Sequence, residues 1–396
     1  MTVTVRVRAE RIPGEKRVSA TPESIRKLAA AGAGVAVEAG AGSGAAIADA
    51  AYRAAGAEIV EPGAPFGDGP SMLFHVRPLG AAELAALPRG TVTVGVMDPF
   101  RHPDGVRAAR DAGVTTLSLD LLPRISRAQS MDVLSSQSLI AGYRLVTLAA
   151  DAFGRMFGMT MTAAGTLAPA RVLVLGAGVA GLQAIATAKR LGGVVSANDI
   201  RAASADEVRS VGGTFIDLDL GTADAGGGYA SELAEDRARR QQELLATHVA
   251  ASDILITTAA VPGRAAPRLV TAGMVARMKP GSVLVDLASE TGGNIEGSVP
   301  GSAQRIAVDG GAVTLIGARD IQSDLAPDAS KLLAMNYANF TVPLLADGRL
   351  ALDFADELVS GCAVTHDGAI VDDRVATAVA AAAPSVPELV EGEVRA

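Results

Sequence analysis

The run Arg171-Val172-Leu173-Val174-Leu175-Gly176-Ala177-Gly178-Val179-Ala180-Gly181 constrains this chain more than any other stretch. An all-apolar segment leads into G-x-G-x-x-G, and a helical pattern from Leu182 to Leu191 follows. In that setting each glycine has a physical duty. Gly176 permits the tight turn, Gly178 lets the backbone approach a pyrophosphate, and Gly181 lets the helix pack close against the strand, while the helix N-terminus offers free N–H groups to an anion. Asp199 ends the next strand about twenty residues on, where a carboxylate accepts hydrogen bonds from ribose hydroxyls and repels a 2′-phosphate. The expected cofactor is therefore NAD(H) over NADP(H). Arg201 is a caution, because a guanidinium so placed is how some sites accept that phosphate. The candidate cofactor-binding residues are Gly176, Ala177, Gly178, Val179, Ala180, Gly181, Asp199, Ile200 and Arg201, with Thr258 and Ala259 after the strand Asp253 to Thr257.

Strand and helix signals alternate on both sides of this fingerprint. In the first third, strands are expected at Val3 to Val7, Gly34 to Glu38, Ser71 to Val76, Thr91 to Val96 and Val114 to Leu119, with helices over Ser24 to Ala31, Ala81 to Ala86 and Pro103 to Ala112. Later strands are expected at Val194 to Ala197, Gly213 to Ile216, Asp253 to Thr257, Ser282 to Asp286 and Val313 to Ile316. Such alternation predicts parallel sheets. The fold class is α/β, with two Rossmann-like, doubly wound domains joined by long helices. An apolar periodicity from Ser130 to about Met156 predicts one long connector helix, and Ala326 to Leu345 predicts a second that crosses back. The first domain then covers 1–135, completed by about 326–375, and the second covers 136–325. Residues 219–242 combine a Gly-rich, apolar-poor stretch with a charged helical run and predict a mobile loop leading into a solvated helix. From Ala376 on, Ala, Pro and Glu dominate, and a flexible tail is expected over 376–396.

Composition removes several function classes. The 35 basic and 43 acidic residues give a net charge of −8, and the basic residues are scattered, so nucleic acid and anionic lipid are poor ligands. Aromatic residues make up 3% of the chain, too few for base-stacking platforms. A single cysteine, Cys362, cannot close an internal disulfide and reads as a reduced, small hydrophobe. No apolar run reaches the roughly 18 residues of a membrane helix, and the N-terminus lacks the order of an export signal. A cytoplasmic location is expected. The 4 histidines, His75, His102, His248 and His366, lack metal-ligand spacing, so no metal site is expected.

Polar residues gather at the mouth of the connector, over Arg124 to Gln137, where Gln129, Asp132 and Ser135 or Ser136 fall three apart and would share one helical face. By itself this is a capped, solvated helix start.

The segment Arg124 to Gln137, the run Met161-Thr162-Ala163-Ala164-Gly165-Thr166 and the stretch Arg171 to Gly192 together resemble the alpha subunit of proton-translocating NAD(P) transhydrogenase, in its soluble NAD(H)-binding domain I. The resemblance continues through Gly227-Gly228-Tyr229-Ala230, Pro262-Gly263-Arg264, Met278 to Ser282 and Gly292-Gly293-Asn294, and reaches about Val371. It is to the short alpha-1 form, whose membrane and NADP(H) domains are separate chains. The resemblance implies that Arg124, Gln129, Asp132 and Ser135 form the loop that holds the nicotinamide and its carboxamide, that Tyr229 closes over bound nucleotide, and that Asp199 binds ribose. It also implies a homodimer, membrane-spanning alpha-2 and beta subunits, and an NADP(H)-binding domain III that docks over the nicotinamide. The chain would then lie on the inner face of the cell membrane through its partners. Direct hydride exchange between two nicotinamides needs positioning and no general base. One departure is Gly317 to Ser323, where relatives carry an Asn and a Pro.

Two other functions compete. Alanine dehydrogenase shares the two-domain plan and resembles the chain from Arg11 to Pro22 and around Gly176, but its catalytic histidine would stand at Met97-Asp98-Pro99 and its substrate lysine near Arg77. A regulator that binds NAD(H) without turnover is the other.

Overall fold

The computed structural model describes residues 2–67, 69–201, 203–218, 230–260 and 265–382, without the side chains of 230–238. The chain forms two compact units, one built from Met1–Leu134 with Ala326–Ala396 and the other from Ser135–Leu325.

Among the described residues, the first unit holds an eight-stranded sheet in the order Ala369–Ile370, Ala363–His366, Thr115–Ser118, Val92–Gly95, Ser71–His75, Thr4–Val7, Gly34–Glu38 and Glu58–Val60. Strands from Thr4 to Ser118 pair in parallel, and Ala363–His366 adds an antiparallel edge. Alternation sends Val5, Val7, Met72, Phe74, Val92 and Val94 to one face, where Phe74 meets Tyr337 edge-on at 5.3 Å. Leu73, Val106, Val364 and Val375 fill the other. The first helix is Pro22–Ala30, with Thr21 as its cap: the Thr21 hydroxyl accepts from the Ser24 N–H and the Ser24 hydroxyl accepts from the Thr21 N–H. Cys362 is fully buried, and burial pushes its thiol well above the usual range.

The second unit carries a seven-stranded sheet in the order Thr214–Phe215, Val194–Asn198, Arg171–Leu175, Ile254–Thr257, Val283–Asp286, Gly311–Gly317 and Ala303–Val308. Its pairs are parallel except the last. Val172, Val174, Ile254, Ile256, Val283 and Val285 pack on one face against Ala184, Ile185 and Ala188 of the helix Val179–Arg190. Leu173, Leu175, Leu255, Leu284 and Leu315 pack on the other against Leu245, Val249 and Met274. Both units are thus Rossmann-like doubly wound sheets with helices on both faces, as expected, each ending in an antiparallel edge that the sequence did not announce.

The structure corrects three expectations. The connector is shorter than Ser130 to Met156: the α-helix spans Val133–Ala152, Ser126–Met131 is a 3-10 turn, and Asp132 between them is extended. Gly154 and Gly158, both poor helix formers, interrupt its far end, and the chain turns there into a hairpin of Thr160–Thr162 and Gly165–Leu167. The returning helix Ala326–Thr341 stops before Pro343, and Val342–Leu344 is 3-10. Lastly, the start of the expected tail is helical: Asp372 caps Asp373–Ala381 through the N–H groups of Arg374 and Val375, and Val375 and Val379 are buried. Of the expected loop 219–242, residues 230–242 belong to the helix Ala230–Ala251, and 219–229 lie outside the described residues.

Candidate functional site

The fingerprint closes on itself at the carboxyl end of Arg171–Leu175. Gly176 has φ +102°, and a Cβ there would lie 2.6 Å from the Thr258 hydroxyl. At Gly181 a Cβ would lie 1.9 Å from the Gly176 carbonyl oxygen, so only glycine lets this helix start so near the strand. Gly178 is the opposite case. It is the N-cap of Val179–Arg190, in extended conformation, it supplies no side-chain cap, and a Cβ on it would meet nothing within 4 Å. The first intrahelical bond is Leu182 N–H to the Gly178 carbonyl at 2.8 Å, which leaves the N–H groups of the preceding turn without an intrahelical partner. Such a cradle fits a pyrophosphate.

Asp199 is wired into this loop. Its Oδ2 accepts from the Ala177 N–H at 2.7 Å, and its Oδ1 accepts from the Arg201 N–H at 2.8 Å and from Arg201 Nε at 3.1 Å. Arg201 Nη2 reaches Asp199 Oδ2 at 3.3 Å and the Ala177 carbonyl at 3.2 Å. Burial raises the Asp199 carboxyl, but the Arg201 guanidinium and the two backbone N–H groups outweigh it and hold the group below the usual carboxylate range. Between them Ile200 is 75% exposed, an apolar side chain left in water at the rim.

Beneath Thr258 and Ala259 lies a polar floor that sequence reasoning missed. Asp286, fully buried, accepts from the Thr257 hydroxyl at 2.9 Å and from the N–H groups of Ala288 at 3.0 Å and Ile295 at 3.1 Å. Asn294 donates to the carbonyls of Ala259 at 2.8 Å and Pro267 at 2.9 Å, tying together two ends of the segment after the strand Ile254–Thr257. The available signal was a carboxylate closing the all-apolar strand Val283–Asp286.

Gly176 to Gly181, Asp199, Ile200, Arg201, Thr258 and Ala259 thus lie together at the carboxyl ends of three neighbouring parallel strands of one sheet. Tyr229 lies outside the described residues. Arg124, Gln129 and Asp132 belong to the first unit, while Ser135 is the third residue of the helix Val133–Ala152 and falls in the second. The expected single helical face does not form, because the α-helix begins only after Asp132. Gln129 and Asp132 are instead joined through the backbone across one 3-10 turn, the Asp132 N–H donating to the Gln129 carbonyl at 3.4 Å. Ala128 and Met131 bury that turn, and Asn336 and Asn339 fasten it by donating to the Ser130 carbonyl at 2.9 and 2.8 Å. Arg124 and Gln129 remain exposed, and Asp132 and Ser135 are half-buried.

At the carboxyl end of the first unit's sheet, the place where an alanine dehydrogenase would carry its base holds Asp98, at φ +46°. Burial raises its carboxyl. His75 ends the neighbouring strand Ser71–His75 and is buried, its Nδ1 2.8 Å from the Arg77 carbonyl, and burial lowers it to about 4. Among the described residues no group of three or more histidine, cysteine, aspartate or glutamate side chains could hold a metal ion, and no helix is long and apolar enough to cross a membrane.

Residues 6–141 match the family model "Alanine dehydrogenase/PNT, N-terminal domain" and residues 145–373 match "Alanine dehydrogenase/PNT, C-terminal domain". The chain is 47% identical over 372 residues to an NAD(P) transhydrogenase subunit alpha chain of Rhodospirillum rubrum, covering 91% of this chain and 96% of that one. A solved transhydrogenase structure from Sinorhizobium meliloti superposes with a TM-score of 0.81 at 42% identity, covering 94% of this chain and 99% of that one. Alanine dehydrogenase of Mycobacterium tuberculosis is 30% identical over 380 residues, covering 92% of this chain and 93% of that one.

Proposed function

Because the chain belongs to the alanine dehydrogenase/PNT family, we propose that it is the NAD(H)-binding subunit of a proton-translocating NAD(P) transhydrogenase. The observation that carries this reading is the uncapped helix start at Gly178 with Asp199 wired to the same loop. Gly176 to Gly181 would take the pyrophosphate, Asp199 the adenosine ribose, and Ile200 would cover an adenine face. Thr258 and Ala259 would line the floor, held by Asp286 and Asn294. Bound NADH supplies the hydride. The chain's own task is orientation: Arg124, Gln129, Asp132 and Ser135 fix the nicotinamide, and Tyr229 closes over the nucleotide. The acceptor is NADP+ on domain III of a partner. The assembly is a homodimer of this subunit with membrane-spanning alpha-2 and beta subunits, seated on the inner face of the cell membrane.

Mixing the chain with an NADP(H)-binding partner domain should produce transhydrogenation, with little activity from the chain alone. Alanine with NAD+ should give no turnover; steady NADH formation would favour an amino acid dehydrogenase. In single-turnover transfer, Gln129→Asn and Asp132→Asn should slow hydride transfer much more than they weaken NADH binding, because a misplacement of about 1 Å costs on the order of a hundredfold. Full transfer rates at saturating nucleotide would reduce these residues to affinity alone.

A further inference from the structure

Arg201, one of the candidate cofactor-binding residues, is placed with care. Its guanidinium lies side-on against the Asp199 carboxylate, Nε to Oδ1 at 3.1 Å and Nη2 to Oδ2 at 3.3 Å. The same Nη2 donates to the Ala177 carbonyl at 3.2 Å, inside the fingerprint turn. The cation is therefore anchored at two places, and one of them is backbone. Removing the carboxylate would leave it in position. Its Nη1 group makes no hydrogen bond among the described residues, and the side chain is 57% exposed. A planar donor fork with free N–H groups at the mouth of a ribose-binding acid is what recognition of a phosphate monoester requires.

Resting on the nucleotide-binding reading of this loop, we infer that Arg201 is a latent binding group for a 2′-phosphorylated adenine dinucleotide, masked by Asp199, and that the Asp199–Arg201 pair sets which dinucleotide the chain accepts. In the native pair the carboxylate neutralises the guanidinium, occupies its Nε and Nη2 edge, and repels a dianion. Selection against the 2′-phosphate thus comes from one carboxylate standing over a site that is otherwise built for it. The two side chains oppose one another in specificity while they support one another in geometry. Asparagine at 199 keeps an acceptor for the Ala177 N–H while it removes the charge.

The test is titration of the full chain with NADH and with NADPH, read by nicotinamide fluorescence, for the native protein, Asp199→Asn, Asp199→Ser and the double variants that add Arg201→Gln. The native chain should bind NADH more tightly. Both Asp199 variants should gain NADPH affinity by roughly tenfold or more, a charge-assisted contact unmasked, and that gain should fall steeply as salt rises. Adding Arg201→Gln should erase the gain. Unchanged NADPH affinity in both Asp199 variants, or a gain that survives Arg201→Gln, overturns the inference. A native chain that binds neither nucleotide would instead remove the nucleotide-binding reading itself, so the two failures are told apart.

Discussion

Each unit sets a helix after an interior parallel strand, Pro22–Ala30 after Thr4–Val7 and Val179–Arg190 after Arg171–Leu175, and the two starts are built oppositely. Pro22–Ala30 in the first unit has a full capping box from Thr21 and Ser24, and Pro22 has no N–H to offer. Val179–Arg190 in the second starts at Gly178 with no side-chain oxygen and open space before it. The sheets are of one kind, so the capacity to hold an anion does not reside in the fold. It resides in whether the cap position satisfies the helix from within or leaves it to a ligand. The strand ends differ likewise: His75 is sealed with its ring on the Arg77 carbonyl, whereas Asp199 turns its carboxylate to the Ala177 N–H of the fingerprint loop and to Arg201.

The hardest way to break this contrast is at Gly181. Gly181→Val must displace the Gly176 carbonyl or the helix, and should destabilise the nucleotide unit by about 4 kcal/mol or more, read as loss of its urea transition. A stable, soluble variant would mean the close approach is not required.

The next effect lies in the first unit. His75 is held near 4 by burial, below the ordinary 6.5, so the unfolded chain binds the extra proton first. Stability should fall as pH drops from about 6.5 to about 4, by at most about 3 kcal/mol, and stay level above that window. Urea midpoints measured at several pH values across the window check the slope, which His75→Gln should flatten; an unchanged slope in that variant assigns it elsewhere.

Smaller effects sharpen the comparison of caps. Thr21→Ala should cost about 1 kcal/mol of stability and leave NADH binding unchanged. Gly178→Ser, which installs in the second unit the oxygen present in the first, should change stability by only a few tenths of a kcal/mol while weakening NADH binding, because the serine competes for the same N–H groups. If Gly178→Ser binds NADH as tightly as the native chain, the open cap is not the anion site.

What was legible in the sequence follows the same division. Buried parallel strands such as Arg171–Leu175 and Val283–Asp286 are continuous apolar runs, and the fingerprint glycines sit where steric limits demand them, so both could be read directly. The hairpin Thr160–Thr162 with Gly165–Leu167 has almost no buried face and hence no period to detect, and Ala303–Val308 carries Gln304 and Arg305 on a half-covered edge. At Gln129 to Ser135 the three-residue spacing is shared by 3-10 and α-helices, so spacing could not show that Asp132 breaks the helix. For the floor, the sequence offered only the carboxylate that closes Val283–Asp286; its partners, and those of Asn294, come from distant segments that a local pattern does not reach.

The first unit is also divided along the chain, leaving at Leu134 and resuming at Ala326. Its strand Thr115–Ser118 is covered by Ala363–His366, with Thr116 and Thr365 bonded through their hydroxyls across 249 residues. On a ribosome adding about 5 to 20 residues per second, that edge waits roughly 12 to 50 s for its covering strand, while the whole second unit emerges and can fold in between. An uncovered parallel edge is a template for foreign strands. The order of synthesis therefore makes the amino-terminal unit, the first to be made and the last to be completed, the region of this protein most in need of a chaperone.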